Sequence, residues 1–186
     1  AKLCALNPEN PMTASLLALG AAQTTDFFIK KNLEAGMLLK KIRKAVLENA
    51  RDSLYAAIIL APDMLSVAAA SGPDAVSPAA GQDVSLPGID NPPAGAASLD
   101  FFYIQASSSF DESRVETAIT SLLQPGSDIR VTSMTVDRDT LLGMFTENEN
   151  EAGLAAYQML HEGMLLFGFE NFYTLILEAF ARKLSA

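Results

Sequence analysis

The chain has no tryptophan, one cysteine and one histidine, and no basic residue lies between Ser71 and Ser98. Each scarcity excludes something. A lone Cys4 forms no intrachain disulfide, so this is not a disulfide-built scaffold. A lone His161 with no second histidine or cysteine nearby is poor material for a transition-metal site. No run of about 18 uninterrupted apolar residues occurs, so no membrane span is expected. The two closest candidates are interrupted, Tyr55–Ala70 by Pro62-Asp63 and Met164–Phe180 by Glu170, Asn171 and Glu178. No glycine-rich phosphate loop, nucleophile elbow or calcium-binding loop is present. Thirteen basic residues face 22 acidic ones, for a net charge of −9. That balance argues against nucleic acid as a partner, because neutralising phosphates needs a basic surface. It argues equally against an anionic membrane surface.

What is present is apolar and helix-forming. Of 186 residues 49% are hydrophobic, enough for a real core, and alanine and leucine dominate. Residues 71–98 divide the chain. Five prolines and four glycines in that stretch predict an extended linker, since neither helix nor central strand tolerates them. Residues 1–70 carry eight Lys/Arg against six Asp/Glu, and residues 71–186 carry five against sixteen, giving +2 and −11. The expected organisation is a helical half over 1–70, the linker over 71–98, and a strand–helix–strand unit with a long apolar helix over 99–186.

Asn10-Pro11 is a good helix start, with Asn as cap and Pro at the first helical position. A helix is predicted from Met12 to about Lys31, with a candidate interruption at Gln23-Thr24-Thr25-Asp26. Leu38, Ile42, Val46, Leu54 and Ile58 recur at helical spacing and predict an amphipathic helix over Leu33–Leu60, stopped by Pro62. Lys44 and Glu48 fall one turn apart on it. Met64–Ala70 suits one short helical piece. Leu99–Gln105 is aromatic and β-branched and reads as a strand. Asp111 caps a predicted helix over Glu112–Leu123. Ile129–Val136 reads as a second strand, and Asp137 or Asp139 caps a short helix through Phe145. A connection of that length suggests parallel strands in a right-handed βαβ arrangement. The last helix is expected to run from about Glu149 to Leu184. The fold class that results is mainly α with a small β component, α+β or α/β, with long amphipathic helices around a two-stranded βαβ-like unit.

Candidate chemistry is sparse. His161 could act as a base or ligand, yet no orienting partner or nucleophile forms a motif with it. Glu170 and Glu178 sit on an apolar helix, where they are expected to reach water or pair with basic groups of the N-terminal helices. Glu147, Glu149 and Glu151 suit a helix start, and Lys30, Lys31, Lys40, Lys41, Arg43 and Lys44 a solvated or docking face. No catalytic set and no metal site is assigned, and no cofactor is called for; His161 and Glu170 are the weak candidates for holding one. Nothing sets the cellular compartment.

The apolar helices exceed what two strands can cover. The expectation is therefore an acidic, helical structural protein, a non-enzymatic subunit of a homo- or hetero-oligomeric complex. It would dock on other chains, the same or different, through Leu38, Ile42, Val46, Met164, Phe167, Phe169, Phe172 and Ile176. The alternative is a helical protein that binds a small apolar molecule or pigment in a cavity among Phe167, Phe169, Phe172 and Tyr173. An enzyme using buried carboxylates with His161 is a third and weaker reading.

Overall fold

The computed structural model describes residues 10–70, 97–123, 129–146 and 151–184. Cys4, most of the Pro/Gly-rich linker, Pro125-Gly126, Glu147 and Glu149 lie outside them. The described chain is mixed α/β. It runs α1 (Pro11–Lys31), α2 (Leu33–Ala50), β1 (Leu54–Leu60), α3 (Met64–Ala70), β2 (Ser98–Gln105), α4 (Glu112–Thr120), β3 (Arg130–Val136), α5 (Arg138–Thr146), α6 (Glu151–His161), β4 (Met164–Phe167) and α7 (Phe169–Leu184). One sheet holds all four strands in the order β3-β2-β1-β4. β1 pairs antiparallel with both β2 and β4, and β2 pairs in parallel with β3 across α4.

Helix starts follow the local chemistry. The Asn10 side chain accepts from the Met12 amide at 2.9 Å, with Pro11 at the first position. Asp111 accepts from the Arg114 amide at 3.1 Å. Asp137 accepts from the Thr140 amide at 2.8 Å, and that hydrogen bond holds the Asp137 carboxyl below its usual range. α1 is not interrupted at Gln23–Asp26. Thr24 and Thr25 stay helical, their hydroxyls donating back to the carbonyls of Gly20 and Ala21.

Two predicted helices are wrong in the same way. The helix expected over Leu33–Leu60 ends at Ala50, and Leu54–Leu60 is the strand β1. The helix expected over 149–184 is broken by β4 into α6 and α7. The sheet is thus four-stranded, not two-stranded. Both strands are short runs buried on both faces, where period cannot separate helix from strand.

Register sorts the core into two. Leu99, Phe101 and Tyr103 of β2 share one face with Ala57 and Ile59 of β1, packed under α2, α3 and α4. Phe102 and Ile104 share the other with Ala56, Ile58 and Leu60, packed under α5, α6 and α7. α1 contributes to both, Phe28 and Ile29 to the first and Ala21 to the second. It packs on α7, α2 and the outer strand β4. There the buried Thr25 hydroxyl donates to the Leu165 carbonyl at 3.2 Å. β3 forms the opposite edge of the sheet and is mostly half-buried.

Glycines set the breaks around β4. Gly168 has φ +76°, and a Cβ there would lie 2.1 Å from the Tyr55 carbonyl oxygen. A Cβ on Gly163 would lie 2.4 Å from the Met159 carbonyl oxygen. These two positions let the chain turn from α6 into β4 and from β4 into α7 against the backbone of β1.

Candidate functional site

The ionisable candidates are dispersed. His161 closes α6, is exposed, and stacks on the Tyr157 ring with centroids 4.1 Å apart. Glu170 opens α7, is also exposed, and accepts from the Ser15 hydroxyl of α1 at 2.8 Å. The strand β4 lies between the two in the chain, and each has its own neighbour. Glu178 is paired, as expected of it, but not with the N-terminal helices. Arg138 of α5 donates to both its oxygens at 2.6 and 2.7 Å, and Arg182 adds a third bond at 2.8 Å. The basic residues of α1 and α2 are exposed, with Lys44 and Glu48 3.6 Å apart. The exception is the half-buried Arg43, whose guanidinium lies 5.9 Å from the Phe169 ring centroid. Among the described residues no group of three or more His, Cys, Asp or Glu is placed to hold a metal ion.

One polar cluster escaped the sequence reading. On the α4 side of the sheet Ser133 of β3 donates to Glu112 and Glu116, one turn apart on α4. A hydroxyl proton serves one carboxylate at a time, so this is an acceptor-rich patch. Beneath it the Tyr103 hydroxyl and the Thr135 hydroxyl are buried, with no hydrogen-bond partner among the described residues. Burial, and secondarily the Glu116 and Glu112 carboxylates, push the Tyr103 phenol far above its usual range. Beside the cluster is an open depression of about 450 Å³ lined by Glu116, Thr117, Thr120, Ser121 and Val131. It is shallow, and its lining is more apolar than polar. Ser133 is held by acids, and general-base activation of a serine needs a base such as histidine in reach. The one histidine stacks on Tyr157 at the end of α6 instead.

The predicted interface is placed differently from the expectation. Leu38, Ile42, Val46, Met164, Phe167, Phe172 and Ile176 are buried in this chain's own core, and Phe169 is half-buried. The extra strands β1 and β4 are what those helices cover. Phe167 and Phe172 belong to core clusters on opposite sides of the sheet, so they do not line one cavity.

Exposed large apolar residues occur on α2, on α6 (Leu154 and Tyr157) and on α7 (Phe180), and the longest row of them lies on α1. Met12, Leu16, Leu19 and Phe27 are 63%, 57%, 56% and 66% exposed. Facing inward are small side chains, the buried Ala14, Ala18 and Thr25 and the half-buried Ala21. Small residues let α1 lie close to α7 and β4, and that arrangement turns the bulky residues to the outside. Between Asn10 and Thr25 the helix has no charged residue. Gly20 is exposed, and a Cβ there would meet nothing within 4 Å. On the next helix Leu33 and Met37, also one turn apart, are 73% and 52% exposed. The spacing of Met12, Leu16 and Leu19 is visible in the sequence. What hid the stripe is that α1 is apolar on most faces, so period alone does not say which face is outside.

No protein-family model, curated protein or solved structure matches the chain.

Proposed function

We propose that the chain is a non-enzymatic interaction subunit that docks on protein through the outer face of α1. The observation that carries this reading is the apolar stripe of Met12, Leu16, Leu19 and Phe27, each more than half exposed, on a helix without charge as far as Thr25. A surface helix normally turns charged residues to water. Contiguous exposed apolar side chains mark sites of association. The polar rim needed for solubility is supplied on α2 by Lys40, Lys41, Lys44 and Glu48, all exposed. No described helix is long and apolar enough to cross a membrane, so the stripe is read as a protein-docking surface and not as part of a span.

The test is the mass of the native particle, measured by native mass spectrometry on material taken from its source without denaturation. A particle heavier than one chain of 19.8 kDa is expected. Leu16→Glu together with Leu19→Glu should reduce it to a single chain while leaving the circular dichroism spectrum unchanged. A native particle of one chain's mass, together with a purified chain that stays monomeric up to about 200 µM, ends the reading.

A further inference from the structure

We infer that the occupant of the α1 stripe is α1 of a second copy of this chain, the two helices running antiparallel about a two-fold axis at Leu19 and Gly20. This rests on the reading that the face docks protein, and it names which protein. At about 100° per residue, Met12, Leu16, Leu19, Gly20, Gln23 and Phe27 fall within an arc of about 100°. Reversing the helix about its two-fold point maps this set onto itself. Met12 then faces Phe27 of the second copy, Leu16 faces its Gln23, and Leu19 faces its Gly20. A two-fold interface requires such self-complementarity.

The size match at the centre is the more specific part. Gly20 is an open notch on the exposed face, with nothing within 4 Å of where a Cβ would stand. Leu19, 56% exposed, is the knob of the opposite copy. Small residues at a crossing let helix axes approach to about 8 Å. Charge favours the same orientation. The stripe is neutral from Asn10 to Thr25; Asp26 follows, exposed beside Phe27, and positive charge enters with Lys30 and Lys31 at the end of the helix. A parallel pair would set these lysines against their own copies and align the two macrodipoles. The antiparallel pair avoids both. Between Asn10 and Thr25, by contrast, the helix offers a charged partner no charge to pair with.

A single pair of helices is a small interface, at the low end of the specific range. Association in the micromolar range is therefore expected (Kd of order 1–100 µM). Sedimentation equilibrium of the purified full chain from roughly 1 to 200 µM should show the mass rising from 19.8 kDa towards twice that value. Gly20→Leu fills the notch at a position that is exposed and where a Cβ meets nothing within 4 Å, so folding should be retained while association weakens at least tenfold. Leu19→Glu should do the same. Gln23→Leu replaces the polar residue facing Leu16 and should tighten association several-fold. A purified chain that stays monomeric at 200 µM overturns the second-copy assignment. If the native particle is nonetheless heavier than one chain, the docking reading stands with a different partner, and if it is not, both fall. A dimer indifferent to Gly20→Leu and Leu19→Glu also overturns the assignment, and points to the sheet edge at β3.

Discussion

The buried hydroxyl of Tyr103 gives the sharpest test of the core. The residue is fully enclosed, with its ring stacked on Phe101 at 6.1 Å and edge-on to Phe110 at 5.2 Å. Among the described residues its hydroxyl has no hydrogen-bond partner. Leaving a buried donor unmade costs about 1–3 kcal/mol relative to its hydrated state. Tyr103→Phe keeps the ring and both aromatic contacts and removes only that group. The variant should therefore be about 1 kcal/mol more stable near pH 7. The pH dependence supplies a second reading of the same atom. Burial raises the phenol pKa in the folded chain, while the unfolded chain ionises near pH ~10. The folded state thus keeps a proton that the unfolded state releases. The contribution is complete below about pH 10 and is lost as the pH climbs, by about 1.4 kcal/mol per unit. The gap between Tyr103→Phe and the parent should widen by about 1.4 kcal/mol at pH 11. Tyr173, half-buried and also raised, is present in both proteins and cancels. Urea unfolding followed by circular dichroism at the two pH values measures both numbers. A variant less stable than the parent by 1 kcal/mol or more at pH 7 would refute the argument, because the hydroxyl would then have a partner.

Three further substitutions probe the backbone and the sheet edge, all read by the same unfolding assay. Gly168→Ala forces a Cβ to 2.1 Å from the Tyr55 carbonyl oxygen and 2.7 Å from the Ala56 Cα at a φ of +76°, and should cost about 3–5 kcal/mol or prevent folding. A loss under 1 kcal/mol would mean β1 and the β4–α7 turn are not so close. Ala61→Gly relieves a non-glycine residue at φ 47° just after β1 and should gain about 1 kcal/mol; a loss would show the position is not strained. Thr25→Val removes the buried bond to the Leu165 carbonyl while keeping the volume, and should cost about 1–2 kcal/mol. No change there would show that water reaches the β4 edge.

Helix caps were legible because they depend on neighbours in sequence. Asn10-Pro11, Asp111 and Asp137 each serve an amide two or three residues on, and each does so in the structure. β2 and β3 were legible from their aromatic and β-branched content, and they pair in parallel. β1 and β4 were not. LYAAIIL and MLLF carry no alternation, because both of their faces are buried. The residues expected at an interface lie in the core for the same cause. Leu38, Ile42 and Val46 looked in need of an outside partner only while β1 and β4 were counted as helix.

From composition and local spacing alone came a helix-rich chain with a real core and most of the helix starts. These depend on residue type and on neighbours within a turn. Which apolar residues are inside was decided only by the tertiary structure. A strand buried on both faces is recognised by the strands beside it, and those lie tens of residues away in the chain. The same holds for α1, whose outer face is bulky because α7 and β4 require its small side to lie against them.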